Sequence, residues 1–127
     1  MLVFEVQTLR RGTLNKYIDA ERSHRNKGAK LKKSLTAYCA LVVRRAMVKG
    51  EAFNWPSNVV FRWFLPDARI DPDNWAFTQK YVFDGMQDAR LGSRVFLVND
   101  SLKYIKSIKH EYYKDKERPR LEVFEVD

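Results

Sequence analysis

Two carboxylates stand two residues apart in Asp71-Pro72-Asp73-Asn74. The tetrad lies between a run that alternates like a strand and a run with helical spacing. At such a turn both side chains can point into one space. Hard divalent cations such as Mg²⁺ take oxygen ligands of this kind, commonly one or two carboxylates, with room left for phosphate. The plainer role is a helix cap, with Asp71 or Asp73 as N-cap and Pro72 in the first turn. An EF-hand loop is excluded, because its obligatory glycine would fall on Ala76.

Two neighbours extend the pattern. Lys80 follows Asp73 by seven residues, two turns along a continuous helix, which would place both on nearly one face. A lysine there would hold a scissile phosphate or offset developing negative charge; its plainer role is an i,i+4 pair with Asp84. Asn99-Asp100-Ser101 precedes a third strand. If that strand lies beside the second, Asp100 would return to Asp71 and Asp73 as a third carboxylate; otherwise it forms an Asx turn. Taken together these residues outline metal-dependent phosphodiester cleavage. Cys39 falls in an apolar helix and reads as core, and His110 has no second histidine with which to form a soft metal site.

The elements that would position these groups follow from periodicity. Leu2, Phe4, Val6 and Thr8 alternate as a strand; Leu31, Leu35, Tyr38, Val42 and Ala46 recur as a helix to about Met47. Val59, Phe61, Trp63 and Leu65 mark a second strand, and Asn74 to Ala89 a second helix with Trp75, Val82 and Met86 on one stripe. Residues 90–101 read as a loop. Leu102–Tyr113 and Leu121–Val126 read as two strands joined by the charged turn Lys114–Pro119. The expected fold is α+β, one domain over residues 1–127, in the order β-α-β-α-β-β with helices packed on one side of a single sheet.

Charge names the kind of partner. The chain of 127 residues carries 24 Lys+Arg against 16 Asp+Glu, a formal +8. All of that excess sits in the first fifty residues. Arg22, Arg25, Lys27, Lys30, Lys32 and Lys33 crowd into twelve positions without one acid. A basic run of this kind grips nucleic-acid backbone, positioning it without reading bases; the alternative is an inert solvated surface. No apolar run has the ~18–20 residues of a membrane span, and one cysteine forms no internal disulfide. A soluble, cytoplasmic protein is expected.

The ordered series Asp71-Pro72-Asp73-Asn74, Lys80, Phe83-Asp84-Gly85-Met86 and Asn99-Asp100-Ser101 resembles the RusA family of Holliday junction resolvases, particularly its phage-borne members. Leu14-Asn15-Lys16-Tyr17-Ile18 is similar to the family's first block, and Arg118–Val123 to its terminal hairpin. The resemblance implies a RusA-like homodimer that nicks four-way DNA junctions symmetrically, in recombination, repair or phage DNA processing. Mg²⁺, or Mn²⁺ in its place, would be held by Asp71, Asp73 and Asp100, with Lys80 as the catalytic lysine and no organic cofactor. Asp84 matches a further acidic position. DNA contacts would fall on Asn15, Arg22, Arg25, Lys27, Lys30 and Lys33. The contrasting expectations are a non-catalytic DNA-binding protein of the same fold, and a regulatory protein acting through protein contacts.

Overall fold

The computed structural model describes residues 1–127, the side chain of Arg25 excepted. The chain begins with strand β1 (Leu2–Phe4), helix α1 (Val6–Leu9) and a tight turn at Arg10–Gly12, followed by α2 (Leu14–Ser23) and α3 (Arg25–Val48). Then come β2 (Ser57–Leu65), α4 (Pro72–Ala76), α5 (Gln79–Asp88), a small hairpin of β3 (Arg90–Leu91) and β4 (Arg94–Val95), β5 (Ile105–Lys114) and β6 (Arg120–Val126). The architecture is mixed α and β, with one four-stranded sheet in the order β1-β6-β2-β5. No helix among the described residues is long and apolar enough to cross a membrane.

β2 is the centre of the sheet. Its Val59, Phe61 and Trp63 are fully buried against the helices, as aromatic and β-branched residues favour on a pleated surface. β5 runs parallel to β2, Phe61 opposite His110 and Leu65 opposite Lys114. The helical crossover through α4 and α5 is the long connection that parallel pairing requires. β6 then lies antiparallel on the other edge of β2 and also pairs with β1. The last two strands are therefore not a hairpin, contrary to the expectation from the turn. The segment after Lys114 passes over the end of β2, where the Asp115 N–H donates to the Leu65 carbonyl.

The element order also departs from the expected β-α-β-α-β-β. α2 fills a stretch read as polar and irregular, and β3 and β4 form a hairpin inside the expected loop of residues 90–101. Three further elements differ in type or extent. Val6 and Thr8 belong to α1, where the Thr8 hydroxyl donates to the Glu5 carboxylate. α3 begins six residues before Leu31: the His24 ring caps it by accepting from the Asn26 N–H. Its first two turns carry almost no apolar residue, so hydrophobic period cannot detect them. The second helix is also broken. Thr78 turns both its N–H and its hydroxyl onto the Trp75 carbonyl, and tight i−3 bonds from Lys80 and Tyr81 follow. That break separates α4 from α5.

The core combines Leu2, Phe4, Leu35, Cys39, Val43, Phe61, Trp63, Trp75, Val82, Met86 and Val123. α3 and α5 cross closely at Gly85, where a Cβ would come 2.7 Å from the Ala40 backbone nitrogen. The opposite face of the sheet carries a ladder of arginines, aromatics and acids. Arg62 pairs with Glu111 at 2.8 Å and lies 4.8 Å from the Phe124 ring. Arg120 pairs with Glu122 at 2.9 Å and Asp115 at 3.3 Å, and stands 3.8 Å over Phe64.

Candidate nuclease site

Asp71 occupies the N-cap position of α4 with extended backbone, φ −68° and ψ 151°. Its backbone carbonyl accepts the Asn74 N–H at 3.0 Å, but its carboxylate makes no capping bond. The carboxylate is exposed and lines a hollow with Pro72, Tyr112 and Lys114. Asp73 is exposed two residues on, and its Oδ1 accepts the same Asn74 N–H at 3.0 Å. Tyr112 closes over the turn, its hydroxyl donating to the Pro72 carbonyl at 2.9 Å. Burial, then the nearby Asp73 charge, raise the Tyr112 hydroxyl above its ordinary range. The tetrad is thus held at both ends by neighbouring elements while its acids face outward.

Asn74 is the buried member. Its Oδ1 accepts the Asn15 N–H at 2.9 Å, which ties α4 to the start of α2. Tyr17 packs 5.4 Å from Phe77 beside that bond. Asn15 itself is exposed. The indole Nε1 of Trp75 is buried without a hydrogen-bond partner.

The structure divides the remaining expected site residues. Because β5 is parallel to β2, the segment before it enters the sheet at the Ser57 end, whereas Asp71 follows the Leu65 end. Strands of this length separate their two ends by roughly 25 Å. Adjacency of the second and third strands therefore does not return Asp100 to Asp71 and Asp73. A turn on the Ser101 carbonyl folds Asp100 into another hollow, lined by Phe77, Gln79, Lys80, Phe83 and Ile108. Among the described residues, no group of three or more His, Cys, Asp or Glu side chains is arranged to hold a metal ion. Lys80 shares that hollow with Asp100, and the break at Thr78 sets it on a different helix from Asp73. Asp84 faces α3, with Lys32 Nζ at 4.0 Å.

The basic run is divided as well. Lys27 and Lys30 line a groove of about 660 Å³ between α2 and α3, together with Arg11 and Lys16. Lys32 and Lys33 line a separate hollow against Asp84 and Asp88. Arg22 is exposed in the last turn of α2 and lines neither, and the Arg25 side chain lies outside the described residues.

Sequence reasoning missed Arg11, Lys16 and Tyr112 because no local spacing signals them. It also missed a half-buried polar chain between β2, β5 and the start of α5. Trp63 Nε1–H donates to His110 Nδ1 at 2.9 Å, so Nε2 carries the proton that meets Gln79 Oε1 at 2.7 Å. Burial lowers the His110 ring to about 4, keeping it neutral. Cys39 is fully buried, as a core residue should be, and its burial pushes the thiol far up.

No family model, no curated protein and no solved structure matches the chain.

Proposed function

We propose that this protein is a metal-dependent endonuclease of RusA type that cuts branched DNA, four-way junctions above all, in recombination, repair or phage DNA processing. The observation that carries this reading is the Asp71 carboxylate. It stands at a helix N-terminus without capping it, two residues from a second exposed carboxylate and tied through Asn74 to a groove of cations. A capping role leaves that acid unexplained; a ligand role uses it.

Two carboxylates suit Mg²⁺, which commonly takes one or two and completes its shell with water and phosphate oxygen. Asp71 and Asp73 would hold it, or Mn²⁺ in its place. When bound, the ion would orient the scissile phosphate and lower the pKa of a water. Lys80 would offset charge on the phosphate, and Asp100 would set the position of Lys80 from within their common hollow. Asp100 is not a direct third ligand in this reading, because it lies with Lys80 and not with Asp71 and Asp73. A homodimer would present two such sites to the two equivalent strands of a junction.

One observation favours the contrasting reading of a DNA-binding protein without turnover: the three aspartates do not form one group. A single experiment separates the two. Asp73→Asn keeps the acceptor for the Asn74 N–H while removing the charge. With gel-resolved nicking of a labelled four-way junction in Mg²⁺ and Mn²⁺, the variant is expected to lose cleavage, keep junction affinity in Ca²⁺ and melt near the wild type. A wild-type protein that binds the junction but never nicks it establishes the non-catalytic reading. An Asp73→Asn protein that cuts at the wild-type rate removes the aspartate site.

A further inference from the structure

The charge of the first fifty residues is not one surface. α3 presents Lys27 and Lys30 to one side and Lys32 and Lys33 to another, and the two sides meet different neighbours. On the first side, Arg11 arrives from the turn before α2 and Lys16 from α2 itself. The groove so formed has four cations and one acid, Asp19. Among the described residues, none of those four cations has a carboxylate within 4.0 Å. On the second side, Lys32 reaches Asp84, and Asp88 lines the same hollow. Two lysine pairs of equal formal charge therefore differ in what remains of that charge for a ligand.

Geometry adds a direction. Lys27 and Lys30 are one turn apart, with Cβ atoms about 5–6 Å from one another, a spacing that reaches neighbouring phosphates of one strand. Lys16 follows Asn15, whose N–H is bonded to Asn74 beside Asp73. A polyanion lying in the groove is thereby led toward the carboxylate turn.

We propose that the backbone of bound DNA runs along the groove between α2 and α3, with Arg11, Lys16, Lys27 and Lys30 binding its phosphates, and that Lys32 and Lys33 take no part. This rests on the endonuclease reading for the identity of the polyanion. It goes beyond it in assigning the track and in removing Lys33 from the set of phosphate-binding residues.

The test compares two variants that lose the same charge, Lys27→Gln/Lys30→Gln and Lys32→Gln/Lys33→Gln. Affinity for a linear duplex and for a four-way junction is measured in Ca²⁺ across salt concentrations. Each phosphate that is no longer neutralised makes the log–log salt slope shallower by about 0.9 on duplex DNA. The groove variant is expected to make the slope shallower by about 1.8, with Lys27→Arg/Lys30→Arg restoring it, whereas the Lys32/Lys33 variant keeps the wild-type slope. Equal reductions in both variants, or a larger one at Lys32/Lys33, overturn the groove while leaving the endonuclease reading intact if the wild type still nicks junctions in Mg²⁺. A reduced slope in the groove variant of a protein that never nicks upholds the groove and overturns the catalysis. A wild type that retains no DNA at low salt overturns both.

Discussion

The uncovered face of the sheet and the groove between α2 and α3 both carry several cations, but they treat them oppositely. On the sheet face Arg62 and Arg120 are each bound to a carboxylate and laid over an aromatic ring. Their charge is satisfied within the molecule, and their flat guanidinium groups shield Phe64 and Phe124 from water. In the groove Arg11, Lys16, Lys27 and Lys30 have one acid, Asp19, among them. Equal residue types thus serve folding in one place and remain open to a ligand in the other. What distinguishes them is the supply of acids by the adjoining strand or helix, which is a property of pairing and not of composition.

Four measurements sharpen or break this contrast. The largest effect is expected on the helical side, from Lys80→Ala. If Lys80 meets charge that develops during cleavage, the rate falls about 10²–10³-fold, roughly 2.7–4 kcal/mol, with junction affinity and melting temperature nearly unchanged. Single-turnover cleavage that proceeds at the wild-type rate would return Lys80 to the status of a surface residue.

Next comes the helix layer that holds the groove in shape. Gly85→Ala places a methyl group against the backbone of α3, which cannot yield as a side-chain tip can. A loss of about 1–3 kcal/mol in urea unfolding is expected from such overpacking. An unchanged midpoint would mean that α3 and α5 separate freely.

A smaller effect is expected from Arg62→Gln/Arg120→Gln on the sheet face. It removes the same formal charge as the groove variant, yet should leave the DNA salt slope alone. Its cost falls on stability, about 0.5–1 kcal/mol for each guanidinium–aromatic contact, read as a drop of a few degrees in thermal melting. A flattened salt slope in this variant would erase the distinction between the two regions.

The last effect is read through pH. His110 and Glu111 are consecutive on β5 but point to opposite faces. The Arg62 hydrogen bond holds the Glu111 carboxyl below its usual range, while burial lowers the His110 ring from 6.5 to about 4. Because the folded ring binds its proton less readily than the unfolded one, its contribution is complete above about pH 6.5. It declines as pH falls from there toward 4. Trp63, which donates to Nδ1, opposes that proton as well. An NMR titration should show a neutral His110 at pH 5.5; a charged ring at that pH contradicts the hydrogen-bonded chain through Trp63 and Gln79.

The parts of the fold visible in the sequence are those set by local repetition. Val59, Phe61, Trp63 and Leu65 do share a buried face, and the Trp75, Val82 and Met86 stripe does enter the core. The expectation of one sheet with helices holds at that level. Strand order is not visible, because β5 and β6 are consecutive in sequence yet pair with opposite edges of β2. Nothing in Lys114–Pro119 announces that crossing; its charged residues suit a hairpin as well as a bridge. The same holds for the site. Asp71 and Asp73 are two residues apart, so their proximity is covalent in origin. The place of Asp100 depends on whether β5 is parallel, and the groove depends on how α2 meets α3. Thr78 interrupts the helical spacing that would otherwise relate Lys80 to Asp73.

The position of β6 between β1 and β2 has a consequence for how the molecule is made. β1 pairs only with β6, which is translated long after it; β2 also waits for residues beyond 104 on both of its edges. While a ribosome is still adding those residues, the helices can form but the sheet beneath them cannot close. Contacts between such distant parts of a chain form slowly. A polypeptide halted before Arg120 would leave Leu2, Phe4 and Phe61 without the strand that joins them. The order of synthesis would thus set the order of assembly, with the sheet beneath the helices closing only once residues 120–126 have been added.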